Sequence, residues 1–188
     1  LYEKTGMYID WDQLNQLPEI DSFIDIGVGR NGTPNFYKRF PNSKLVLIDP
    51  LIEAKTYAKK NLFDREYEFF QYGVGDKESE QFINIEENLG RSSLLDVTEI
   101  NYEGDPVSTR KIKIKTVDQI TRSIKDLGKV GIKIDTEGYE LNVIKGSRET
   151  LKIAKFVVAE VRHNHESFEG QYKLQDFIEI MHKNNFIL

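Results

Sequence analysis

Three aspartates stand where a strand-like run gives way to a turn. Asp25 lies in Phe23-Ile24-Asp25-Ile26-Gly27, Asp49 in Leu47-Ile48-Asp49-Pro50, and Asp76 directly after Gly73-Val74-Gly75. A fourth, Asp135, closes Ile132-Lys133-Ile134-Asp135, with Glu137 two residues on. Gly27, Gly29 and Gly32 have the spacing G-x-G-x-x-G, in which missing side chains let the backbone approach a nucleotide at the head of a helix. An isolated aspartate before a turn is commonly no more than a turn cap. Carboxylates at successive strand ends weigh against that reading, because open α/β sheets bind ligands at the carboxyl ends of their strands.

These residues suit a nucleoside. Asp49 is placed to accept hydrogen bonds from ribose hydroxyls, and Gly73, Val74 and Asp76 to wall and read an adenine, while Asn31 sits within the turn beside Gly27, Gly29 and Gly32. Two cofactor classes share those features, the nicotinamide dinucleotides and S-adenosylmethionine. The charge of Asp25 separates them: its carboxylate is expected at the mouth of the turn, where it repels a diphosphate and attracts an ammonium and a sulfonium. The expected cofactor is therefore S-adenosylmethionine. An NAD(P)-dependent oxidoreductase and a non-catalytic nucleoside-binding module remain the alternatives.

Methyl transfer to a hydroxyl needs alignment of the nucleophile and a group that takes its proton. Asp135, which also borders the expected methionine moiety, and Glu137 are candidate bases, as is His163, whose ordinary pKa lies near neutrality. A lone histidine in a polar loop is more often surface decoration. Lys133, inside a buried strand, needs a counter-charge, and Glu160 is the expected structural partner. Asp135, Glu137, Glu160 and His163 could converge on a hard cation, yet nothing in their spacing requires one, and no metal is expected. Arg91, Ser92 and Ser93 fall in a polar stretch, 86–106, that reads as a long loop, a candidate lid and a candidate acceptor contact.

The positioning elements follow from periodicity. Strands are expected at Ser22 to Ile26, Lys44 to Ile48, about Tyr67 to Tyr72, Val107 to Lys115, Val130 to Ile134 and Phe156 to Val161, with Glu80 to Ile85 beside the third. Helices are expected from Thr33, as N-cap, to Phe40, from Ile52 to Leu62, from Val117 to Ile124, after Glu140, and from Leu174 to Lys183. Phe186-Ile187-Leu188 reads as the start of another strand, and 1–20 as a helical extension. Alternation of strand and helix predicts an α/β class, a Rossmann-like, mostly parallel sheet with helices on both faces and its last strands truncated.

A chain of 188 residues, 39% hydrophobic and 30% charged, has the size and composition of a single domain spanning 1–188. Its 26 basic and 31 acidic residues give a net charge of −5 without a basic cluster, which argues against a nucleic-acid partner. No apolar run approaches membrane-spanning length, so no membrane partner is expected either. With no cysteine there is no disulfide framework and no thiol nucleophile, and a cytoplasmic setting fits. Nothing here fixes the oligomeric state.

Two segments resemble the FkbM-type family of S-adenosylmethionine-dependent methyltransferases. The more specific is Ile132-Lys133-Ile134-Asp135-Thr136-Glu137-Gly138-Tyr139-Glu140-Leu141 followed by Val143-Ile144-Lys145-Gly146, which is similar to the family's Lys-Ile-Asp-x-Glu-Gly-x-Glu signature. The other is Phe23 to Gly27 with its glycine turn. Gly75-Asp76, Ser92-Ser93-Leu94, Thr116-Val117-Asp118 and Ala159-Glu160-Val161 are weaker echoes. Val28-Gly29-Arg30-Asn31 departs from the family, many of whose members carry alanine and asparagine after the first glycine. The resemblance implies O-methylation of a hydroxyl on a sugar, a polyketide or a similar small-molecule acceptor.

Overall fold

The computed structural model describes residues 11–62, 64–86, 89–96, 108–161 and 168–187, and side chains from residue 13 onward. After α1 (Trp11–Gln16), strand β1 (Ser22–Ile26) is buried along its whole length. Its side chains alternate, Phe23 and Asp25 to one face and Ile24 and Ile26 to the other. Helix α2 (Pro34–Arg39) opens on the first-turn proline, whose missing N–H costs nothing there. Then follow β2 (Lys44–Ile48), α3 (Ile52–Asn61) and β3 (Tyr67–Phe70).

Chain order then leaves the main sheet. Gly73–Val74 forms a short β4, Ser79–Ile85 is β5 and Ser108–Lys115 is β6. These three make a separate sheet ordered β4-β6-β5, in which β5 pairs with β6 antiparallel. Glu80 to Ile85 was expected beside the third strand; it pairs instead with β6, because Ile83, Ile85, Ile112 and Ile114 together bury one face against Leu51. Helix α4 (Val117–Thr121) starts with a capping box made by Thr116 and Gln119.

The chain returns to the main sheet with β7 (Val130–Ile134), runs through α5 (Glu140–Lys145) and α6 (Arg148–Ile153) to β8 (Ala154–Ala159), and reaches α7 (Leu174–Lys183). The resulting five-stranded sheet is wholly parallel, ordered β3-β2-β1-β7-β8. One face packs Ile24, Ile26, Val46 and Ile132 against α4 to α7. The other packs Phe23, Leu45, Leu47 and Phe156 against α1, α2 and α3. This is the expected Rossmann-like α/β architecture, and the chain reverses direction across the sheet at β1, where a crevice must open. Phe186 and Ile187 are not in a strand; the Phe186 N–H instead closes on the Met181 carbonyl at 3.0 Å. No helix among the described residues is long and apolar enough to cross a membrane.

Candidate functional site

Hydrogen bonding continues one residue past each strand and so fixes the strand ends together. The Gly27 N–H donates to Ile48 O at 3.0 Å, Asp135 N–H to Ile26 O at 3.0 Å, and Asp49 N–H to Phe70 O at 3.2 Å. Above this rim opens a cleft of about 450 Å³, bounded by the glycine turn, Asp49, Asp135, Glu137 and the inner face of the second sheet. Gly27 has φ of 78°, and a Cβ there would run into the Asp135 carbonyl, so the turn can lie this close to β7 only with glycine.

Asp49 anchors the turn. One carboxylate oxygen accepts the Gly29 N–H at 2.9 Å and the other the Leu51 N–H at 2.8 Å. Burial pushes its pKa up to about 6, against the opposing pull of those two N–H groups and of Lys133.

Asp25 is not at the mouth of the turn. It is fully enclosed beneath the turn, where one oxygen accepts the Thr33 hydroxyl at 3.0 Å and the Tyr37 hydroxyl, and the other lies 3.2 Å from the Lys133 ammonium. The reason is the period of the strand: Asp25 shares the face of Phe23, which packs on α2. Thr33 therefore stands at the expected N-cap position but spends its hydroxyl on Asp25 and makes no side-chain cap. Lys133 is likewise paired with Asp25 and Asp135, not with Glu160 as expected. Burial lowers the pKa of its ammonium, but the two carboxylates outweigh it and hold it above the ordinary lysine value.

The loop after β7 is organised by Glu140, a buried glutamate at the start of α5. One of its oxygens accepts Thr136 N–H at 2.9 Å, the Thr136 hydroxyl at 3.1 Å and Gly138 N–H at 3.2 Å, and the other accepts the Tyr172 hydroxyl at 2.8 Å. Burial raises the Glu140 pKa, partly offset by these donors. Within the loop Glu137 holds a φ of 50°, a left-handed conformation that costs a side-chain-bearing residue about 1–2 kcal/mol. Ser93 holds it there, donating its hydroxyl to Glu137 O at 2.7 Å while its backbone bridges to Asn84 of β5.

Lys133, Asp135, Thr136 and Glu137 of the signature segment thus line the cleft, with Lys133 and Asp135 paired and Glu140 tied in behind them. A family model described as Methyltransferase FkbM domain matches residues 25–188. The chain belongs to the FkbM methyltransferase family. No curated protein and no solved structure matches it.

Of the residues singled out in the FkbM domain's sequence, Gly27, Gly29, Asn31, Gly32, Asp49, Gly73, Val74, Ser92, Asp135 and Glu137 line one cleft. Asp76 is exposed and outside the lining, and so is Arg91. Ser93 is buried and serves as a tie rather than a surface for acceptor. His163 lies outside the described residues. Glu140 and Lys133 were not read as site residues. An acid at a helix start two residues after a glycine signals the first, and the shared strand face of Asp25 and Lys133 signals the second. The apolar wall of Leu51, Tyr72, Ile83 and Ile112 was missed because it depends on which face of the second sheet turns inward.

Proposed function

We propose that this FkbM domain uses S-adenosylmethionine to methylate a hydroxyl of a small metabolite such as a sugar or polyketide, in a cytoplasmic setting and without a nucleic-acid or membrane partner. The observation that carries this reading is the convergence of Asp49, Asp135 and Glu137 with a bare glycine turn on one cleft. The cleft's 450 Å³ falls within the roughly 300–1,000 Å³ of small-molecule sites. Its chemistry also suits that donor. Tyr72, Leu51, Ile83 and Ile112 form an apolar wall for a flat base, Asp49 offers acceptor lone pairs to ribose hydroxyls, and Asp135 offers a negative charge to a cationic amino-acid tail.

When bound, S-adenosylmethionine supplies an electrophilic methyl carbon whose bonding pair stays with sulfur as the acceptor oxygen takes the methyl group. Asp135 and the turn orient the donor, and Glu137 receives the proton that the acceptor hydroxyl gives up. The Lys133 ammonium, committed to Asp25, Asp135 and Gly27 O, is not available as a base.

Transfer of a labelled methyl group to a panel of hydroxylated metabolites tests the reading. Turnover by the wild-type chain is expected, with Glu137→Gln binding S-adenosylhomocysteine normally and turning over at least 100-fold more slowly. An unchanged rate in that variant removes Glu137 from the chemistry. Binding of the donor with no transfer to any acceptor makes the protein a nucleoside-binding module.

A further inference from the structure

Lys133 sits at the centre of a sheet covered on both faces, opposite Asp25 in the β1–β7 register. Exchanging such a buried ion pair for apolar residues is often neutral or stabilising, so stability alone gives no reason for its presence. What distinguishes this ammonium is the set of groups it joins. It donates to Gly27 O at 2.9 Å, in the glycine turn, and lies 3.2 Å from Asp25 and 3.3 Å from Asp135. Asp25 and Lys133 are almost wholly enclosed, whereas 28% of the Asp135 side chain is exposed, at the cleft wall.

The same network reaches further below. Asp25 accepts the hydroxyls of Thr33 and Tyr37 from the start and first turns of α2. Burial first, and then the neighbouring Asp25, hold the Tyr37 hydroxyl well above its ordinary pKa, so it stays a donor. Its oxygen also lies directly under Gly32, where a Cβ would strike it. One connected path therefore supports the turn at Gly27 and at Gly32 and ends on the cleft carboxylate, while Tyr37 itself does not line the cleft.

We propose that Lys133 is a positioning residue for the methyl-donor site, aiming the Asp135 carboxylate into the cleft and pinning the glycine turn, with Asp25 and Tyr37 as its support. The proposal rests on the reading of the cleft as an S-adenosylmethionine site. Without the ammonium, nothing described in the structure fixes the Asp135 carboxylate or satisfies the Gly27 carbonyl from below.

The test measures S-adenosylhomocysteine affinity by calorimetry, and thermal unfolding, on the full chain. Lys133→Met combined with Asp25→Asn removes both buried charges together, so no uncompensated ion is left inside. This double variant is expected to unfold within a few degrees of wild type but to bind at least tenfold more weakly; wild-type affinity in a folded double variant overturns the proposal and leaves the pair a structural one. Tyr37→Phe keeps the ring in the core and removes one hydroxyl, and decides the matter if the double variant does not fold. Weakening by threefold or more, with unfolding little changed, is expected, and unaltered affinity overturns the proposal. Absence of any binding by wild type is seen before either substitution and counts against the donor-site reading itself.

Discussion

Burial holds the Asp49 carboxyl at a pKa of about 6, above its ordinary 3.8, while its two oxygens carry the Gly29 and Leu51 N–H groups. The two consequences have opposite signs. Between about pH 4 and pH 6 the unfolded chain releases this proton before the folded one does, so the Asp49 contribution to stability falls as pH rises through that window. On the proposed role of Asp49 as acceptor for the ribose hydroxyls, donor binding favours the ionised carboxylate and is expected to strengthen over the upper part of the same window. Titration with S-adenosylhomocysteine from pH 5 to 7.5 should give affinity rising toward a plateau above pH 6, and Asp49→Asn should flatten the profile and weaken binding at pH 7.5 by about tenfold, near 1.4 kcal/mol. A profile that is the same in the variant assigns the pH dependence to another group. Asp25 carries a different lesson at this scale. Its presence before the glycine turn was legible, but its direction was not, because a run of five buried residues shows no polar alternation. Phe23 was the available clue, since side chains two apart in a strand share a face.

At the scale of elements, the main-sheet strands and the helices after them were legible because apolar runs and turn residues mark them locally. The second sheet was not. Its β4–β6 pairing joins residues far apart in sequence, and Gly73–Val74 is too short to carry a pattern. Glu140 shows how one side chain sets a whole connection: it gathers two backbone N–H groups and the Thr136 and Tyr172 hydroxyls, and so shapes the turn that carries Asp135 and Glu137. Glu140→Ala leaves these donors without their acceptor in a buried place, which costs about 3 kcal/mol. In a chain of this size that lowers the unfolding midpoint by roughly 6–12 °C. Calorimetric unfolding checks it, and a loss under 2 °C would mean that the loop holds its shape without Glu140. Ser93 ties the 89–96 segment to the same connection, so the parts of the cleft lining around Ser92 and Glu137 belong to a single hydrogen-bonded assembly.

Over the whole molecule, the strand order β3-β2-β1-β7-β8 brings the carboxyl ends of β2, β1 and β7 side by side, and three segments distant in sequence become one rim. The family match over residues 25–188 puts this fold among the FkbM methyltransferases. Asp25 is enclosed and paired with Lys133, so on the proposed reading the acidic groups left to meet the donor's cationic tail are Asp135 and Glu137, in a lining that also holds Arg30. The most direct check is a calorimetric titration of the purified chain with S-adenosylhomocysteine and, separately, with NADH. Saturable one-to-one binding of S-adenosylhomocysteine with no measurable heat from NADH is the expected result. Saturable binding of NADH, with none of S-adenosylhomocysteine, would contradict the assignment of the cleft.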